Sequence, residues 1–119
     1  MATYTIKHLN DLEHPWPNWR LARKSLGVEA FGLNVTELSA GEQIPEHHEI
    51  DRDQEEVFLT LAGSPSIVID GEKHSLPAGT FARLDPEPLR MVVNDGDELA
   101  QVLIISAPRT SGYEPMDWA

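Results

Sequence analysis

The sequence contains no cysteine. Disulfide scaffolds, thiolate metal sites and cysteine nucleophiles are therefore excluded, and any bound metal must be held by His, Asp or Glu. Basic residues are also few, because 9 Lys and Arg stand against 20 Asp and Glu, for a formal net charge of -11. Such a chain repels polyanions at long range, and we expect it to bind no nucleic acid.

Long apolar runs are missing as well. No stretch approaches the ~20 apolar residues that a membrane helix needs, and residues 1–19 do not combine a basic start with an apolar core. We therefore expect no membrane association and a cytoplasmic location. The sequence also has no serine in a nucleophile elbow and no glycine-rich phosphate loop, which argues against those enzyme classes.

Short apolar alternation, interrupted by turn residues, runs through most of the 119 residues. Gly, Pro, Asn and Asp recur at short intervals, a rhythm typical of a single all-β barrel or sandwich. One strand carries an aliphatic row of Val57, Leu59 and Leu61 on one face, while Glu56, Phe58 and Thr60 share the opposite face. If the aliphatic row packs against a second layer, Glu56 points into the space that the Phe58 face encloses.

Residues 46–63 read EHHEIDRDQEEVFLTLAG and join two histidines and several carboxylates to one of these strands. In the chain, five residues separate Gly41 from His47, and six separate Glu56 from Gly63. This arrangement resembles the first sequence signature of the cupin superfamily, which lays a glycine, two histidines, a glutamate and a second glycine across two strands.

A second cupin signature has partial counterparts further along the chain. Gly79 and Asn94 fall at matching places, and Arg90 stands where that signature has its histidine. The resemblance is closest to small single-domain bacterial cupins of unassigned function, which share the segments 54–57 (QEEV) and 113–115 (YEP).

The resemblance implies an all-β fold, a cupin-type double-stranded β-helix or jelly-roll barrel. It implies a barrel over residues 28–107. Residues 1–27 are then an N-terminal arm with a short helical or extended segment, and 108–119 a tail that packs on the barrel or on a partner subunit. Small cupins of this kind are often homodimers that bind a small molecule, and we expect both properties here.

Cupins that bind a divalent metal supply three histidines and one glutamate. This chain retains His47 and Glu56, and has Glu49 at the second histidine position. His48 is displaced by one residue, and it becomes the alternative to Glu49 only if the loop bulges. Arg90 replaces the last histidine and cannot donate a lone pair, since a guanidinium stays protonated.

Two hypotheses for this cluster remain open. In the first, His47, Glu49 and Glu56 hold a divalent transition metal such as Fe, Mn, Ni or Zn in an enzyme that acts on a small polar organic acid. Arg90, reinforced by Arg83, then binds the substrate. In the second, Arg90 neutralises the two carboxylates itself, and the pocket binds a small metabolite with neither metal nor catalysis. A solvated loop without a role is the plainest alternative to both.

Overall fold

The computed structural model describes residues 3–119. Within that range lie nine strands: β1 (Glu13–Trp16), β2 (Trp19–Leu21), β3 (Gly32–Leu38), β4 (Gln54–Ala62), β5 (Ser66–Ile69), β6 (Glu72–Ser75), β7 (Phe81–Leu84), β8 (Arg90–Val93) and β9 (Ala100–Pro108). One α-helix, α1 (Ala22–Leu26), connects β2 to β3, and two 3-10 helices span Leu9–Asp11 and Ile50–Arg52. None of the helices in the described range is long and apolar enough to cross a membrane.

The strands form two antiparallel sheets. The larger has the order β1-β2-β3-β9-β4-β7, and the smaller has the order β6-β5-β8. Two backbone bridges, Gln43 to Val93 and His47 to Arg90, place residues 43–47 along the open edge of β8. The predicted all-β jelly-roll architecture is confirmed.

The core lies between the two sheets. It is built from apolar side chains of both sheets and their connections: Leu38, Ile44, Phe58, Ile67, Leu76, Leu84, Val92, Val102 and Ile104. Burial of each such side chain contributes about 1.5–3 kcal/mol. The barrel interior is therefore the main source of stability, and a polar group within it needs a partner.

Strand β4 divides its residues between interior and surface. Glu56, Phe58 and Thr60 are buried, whereas Leu61 on the other face is 44% exposed. Glu56 thus points into the space that the Phe58 face encloses, as predicted. The aliphatic row does not pack under a second layer of this chain but lies on the outer face of the larger sheet.

The N-terminal segment is an integral part of the larger sheet. Strand β2 pairs with β3, which places Trp19 opposite Thr36, and Trp19 packs against the core. On the outer face, Arg20 Nε donates a 2.8 Å hydrogen bond to Glu37 Oε1. Residues 1 and 2 of the expected arm lie outside the described range.

The C-terminal tail follows β9 and is largely exposed. Its first residue past the strand, Arg109, donates a backbone hydrogen bond of 2.9 Å to the carbonyl of Asp53. The tail thereby contacts the loop before β4, and its packing on a partner subunit stays a prediction.

Candidate functional site

Three of the sequence-predicted residues meet at one point of the barrel. His47, Glu49 and Glu56 each offer a ligand atom, and these atoms lie within 4.8 Å of one another. The Nε2 atom of His47 is 3.3 Å from Oε1 of Glu49 and 4.0 Å from Oε1 of Glu56. The cluster therefore combines one imidazole and two carboxylates.

Backbone pairing between different parts of the barrel brings these three residues together. His47 and Arg90 exchange backbone hydrogen bonds of 3.0 and 2.8 Å, and residues that pair in this way carry their side chains on the same face. The backbone N–H of Glu49 donates to the carbonyl of Pro86 over 2.9 Å. Glu56 lies within β4, which pairs with β7 on one side and β9 on the other.

The imidazole of His47 is oriented by its other nitrogen. Nδ1 lies 3.0 Å from the carbonyl oxygen of Pro45. Because a carbonyl oxygen only accepts, this contact is a hydrogen bond when Nδ1 carries the proton. In the neutral ring the lone pair of Nε2 is then directed at the space between Glu49 and Glu56, where a metal ion would accept it, as in metal-binding histidines. Without an ion, the 3.3 Å contact with Glu49 is a hydrogen bond only when Nε2 also carries a proton.

His48 lies outside this cluster. Its side chain is exposed, and Nδ1 accepts a 3.2 Å hydrogen bond from the backbone N–H of Ile50, at the start of the 3-10 helix Ile50–Arg52. The structure therefore places Glu49, and not the alternative His48, beside His47.

Arg90 is fully buried and forms an ion pair with Glu56. Its Nη1 donates a 3.0 Å hydrogen bond to Oε1 of Glu56, and its Nη2 donates to the carbonyl of Asp85. Nε has no partner among the described residues. Two sequence-based expectations need correction: Arg90 does not line the cavity described below, and it bonds one carboxylate of the cluster rather than both Glu49 and Glu56.

Burial raises the pKa of the Glu56 carboxyl above its ordinary value, and the neighbouring charge of Glu49 raises it further. The positive charge of Arg90 and that of His47, when protonated, act in the opposite direction but do not cancel the rise. An added cation between the carboxylates would stabilise the ionised form of Glu56.

Arg83 lies elsewhere, so the expectation that it reinforces Arg90 needs correction. It pairs with Val57 in the sheet and shares the outer face with the exposed Phe81. There its Nη1 donates to Glu55 over 2.7 Å and to Asp85 over 2.9 Å. Alternation along β7 sends Leu84 inward and Arg83 to the surface.

The cluster lies on the wall of a cavity of about 460 Å³. Besides the cluster, the wall includes apolar residues, among them Trp19, Phe58 and Ile104, and polar residues, namely Asn34, Arg52, Gln54 and Ser106. None of these polar residues was among the predicted site residues. One signal was available, because Gln54 precedes Glu56 by two positions and so shares its face of β4.

The same fold occurs in several solved structures. A cupin protein from Bacteroides fragilis is 24% identical, with 99% of this chain and 94% of that chain covered and a TM-score of 0.79. A sugar phosphate isomerase of the cupin superfamily from Silicibacter pomeroyi is 21% identical, with 95% and 83% covered and a TM-score of 0.72. A predicted oxalate decarboxylase from Thermotoga maritima is 16% identical, with 75% and 76% covered and a TM-score of 0.64.

Comparison by sequence adds no closer relative. No protein-family model matches the chain, and no curated protein matches it. Identities below a quarter define the fold and leave the reaction to be argued from the site itself.

Proposed function

We propose, from the cupin fold of this chain and the cluster in its barrel, that it is a metal-dependent enzyme acting on a small polar organic acid. The observation that carries the proposal is the approach of His47 Nε2 and two carboxylates to within 4.8 Å of one another on a cavity wall. The residues would act as ligands of a divalent transition metal.

The spacing of the donor atoms fits one ion. Nitrogen and oxygen ligands lie about 2.0–2.2 Å from zinc, so two ligands on opposite sides of one ion are about 4 Å apart. The observed 4.8 Å limit needs only a small contraction, and the 3.3 Å between His47 and Glu49 is already within range.

The donor set also fits in charge and type. Imidazole and carboxylate together suit Fe, Mn, Ni and Zn, and three protein ligands leave coordination positions open to water or substrate. A bound metal supplies a Lewis acid beside the cavity. His47 would keep its proton on Nδ1, and Arg90 would hold Glu56 in place from behind.

The cavity suits a small, polar substrate. Its volume of about 460 Å³ lies at the lower end of the ~300–1,000 Å³ that small-molecule sites occupy. Asn34, Gln54 and Ser106 provide hydrogen-bonding groups on a wall that is otherwise partly apolar. The neighbours described as a sugar phosphate isomerase and a predicted oxalate decarboxylase support this class of substrate.

One observation favours the alternative function, a non-catalytic cupin that binds a small metabolite without metal. Arg90 already places a cation 3.0 Å from Glu56 inside the barrel. A buried carboxylate with a hydrogen-bonded guanidinium needs no second cation for its own stability. In this alternative Glu49 and His47 bind the metabolite directly.

Metal stoichiometry separates the two functions. Untagged protein, purified without chelators, is analysed for Fe, Mn, Ni and Zn, and the metal-free form is titrated with Mn²⁺ by calorimetry. We expect about one equivalent of metal, lost in Glu49→Gln and His47→Ala, because each ligand contributes to affinity. Glu55→Gln and His48→Ala are the matched controls, since both lie beside the cluster and are exposed.

The result that would reject the metal-dependent enzyme is equally plain. If the wild-type protein takes up less than about a tenth of an equivalent of metal, the metal-dependent enzyme is rejected and the metal-free function is supported. If both ligand variants keep their fold and still take up metal, the ion binds at another part of the chain.

A homodimer is proposed on separate grounds. The outer face of the larger sheet leaves Leu61, Phe81 and Ile105 exposed, and an apolar patch of this kind often marks an interface. Light scattering of the purified protein tests this, and Phe81→Ser should then yield the monomer. The cytoplasmic location stays a prediction.

A further inference from the structure

A second cleft adjoins the cavity described above. It has a volume of about 360 Å³ and shares Asn34, Arg52, Gln54 and Ser106 with that cavity. Arg23, from α1, lines only the second cleft. A molecule that extends from His47 and Glu49 past the shared polar residues would therefore reach both arginines.

Most cations of this acidic chain already have a carboxylate partner. Of the 9 Lys and Arg, six form ion pairs: Arg20, Lys24, Lys73, Arg83, Arg90 and Arg109. Among residues 3–119 the other three, Lys7, Arg23 and Arg52, form no ion pair, and the two arginines line the second cleft. Both are exposed at this one cleft, so their positive charges are available to an anion that enters it.

The donors of these two arginines remain largely free. A guanidinium carries five N–H donors. Arg23 uses one nitrogen, Nη1, for a 3.2 Å hydrogen bond to the carbonyl of Val28, and within the described chain Arg52 makes no side-chain hydrogen bond. Glu29 also lines the cleft without pairing to either arginine in residues 3–119.

Resting on the proposed function, we infer that Arg23 and Arg52 form an anion subsite that binds a carboxylate or phosphate group at the far end of the substrate. Guanidinium groups bind these oxyanions through paired hydrogen bonds. The substrate class is then an organic anion whose charged group lies at the arginines, while its other end lies at His47, Glu49 and Glu56.

Binding of small anions to metal-free protein tests the subsite. The probes are glycerol 3-phosphate and succinate, with uncharged glycerol as the reference, titrated by calorimetry at low salt. We expect both anions to bind, and Arg23→Gln or Arg52→Gln to weaken binding about tenfold each. Arg83→Gln is the matched control, since it removes one exposed arginine outside both cavities and should leave affinity unchanged. The tighter anion distinguishes a phosphate from a carboxylate site.

The same titration in Glu49→Gln separates this inference from the metal proposal. Anion binding that persists in metal-free Glu49→Gln supports the subsite even if no metal is ever taken up. Four results would overturn it: no anion binding, equal binding of glycerol, wild-type affinity in both arginine variants, or binding that requires Mn²⁺ and is lost in Glu49→Gln. The last result would mean that the metal alone holds the anion.

Discussion

Arg90 and Glu56 form a hydrogen-bonded ion pair inside the barrel. Nη1 of Arg90 lies 3.0 Å from Oε1 of Glu56, and their side chains are 0% and 7% exposed. Arg90 pairs through its backbone with His47 beside β8, whereas Glu56 belongs to the larger sheet. The pair thus ties the two sheets together next to the candidate metal ligands.

Removal of the guanidinium should strongly destabilise the protein. In Arg90→Met, Glu56 stays buried without its cation, and loss of one partner of a buried pair typically costs about 3–5 kcal/mol. Urea unfolding measures this change in the free energy of unfolding. The double variant Arg90→Met with Glu56→Leu should recover most of the loss, because no buried charge then remains. If the free energy of unfolding of Arg90→Met lies within about 1 kcal/mol of the wild-type value, water solvates the pair.

The cost of Arg90→Met should depend on pH. The raised pKa of Glu56 means that the folded state binds more protons than the unfolded state just above the ordinary value of 4.5. Stability contributed by the neutral form is therefore fully present below that value and is lost as pH rises through the folded-state pKa. Without Arg90 that pKa rises further, so the difference between variant and wild type should grow from pH 4 to pH 7. If the stability difference between Arg90→Met and wild type shrinks from pH 4 to pH 7, the predicted rise of the Glu56 pKa without Arg90 is wrong.

Arg90→His should increase metal affinity. The backbone bridge places position 90 directly opposite His47, so an imidazole there lies on the same face as the cluster. It adds a ligand and removes a positive charge, and we expect at least about a tenfold gain in Mn²⁺ affinity by calorimetry. Arg90→Gln is the control, because it removes the charge without adding an imidazole. An equal gain in both variants would show that charge alone opposed the metal.

Much of this arrangement was predictable from the sequence. Period-two alternation predicted an all-β fold and the inward position of Glu56, which is buried. The strand pattern depends on local chemistry, which a sequence shows directly. The set His47, Glu49 and Glu56, by contrast, was implied by the resemblance to the cupin signature, and these residues do lie together.

The misplaced arginines show where local patterns fail. The expectation that Arg83 lies beside Arg90 fails because Arg83 shares its face of β7 with Phe81, which is 68% exposed. Which face of a short strand is buried depends on its neighbours in the sheet. Arginine is rarely fully buried, so the complete burial of Arg90 follows only from its partner Glu56 and the Asp85 carbonyl.

Asn94 should prove to be a structural residue. Its Nδ2 donates 2.8 Å hydrogen bonds to the carbonyls of Leu38 and Glu98, and its Oδ1 accepts from the N–H of Gly96 over 3.1 Å. Asn94→Ala leaves these groups without partners, and a buried unsatisfied group costs about 1–3 kcal/mol. Urea unfolding should show a loss of at least this size, while Asp97→Ala, an exposed neighbour, should change little. Loss of metal uptake in folded Asn94→Ala would instead assign it a role in the site.

Gly63 and Gly79 allow a matched test of close packing, because both have a positive φ, +83° and +84°. A Cβ at Gly79 would meet nothing within 4 Å, whereas one at Gly63 would lie 2.6 Å from the carbonyl oxygen of Leu99 and 2.9 Å from Cα of Ala100. Gly79→Ala should therefore cost about 1–2 kcal/mol, the penalty of the left-handed backbone alone.

Gly63→Ala should cost more, since displacement of the Leu99–Ala100 backbone adds roughly another 1–3 kcal/mol. Urea unfolding of both variants measures the difference in the free energy of unfolding. Equal losses in the free energy of unfolding would mean that the backbone at Leu99 and Ala100 can shift without an energetic penalty. A larger loss for Gly63 would explain why a glycine follows β4, because the backbone of Leu99 and Ala100 comes too close there for a side chain.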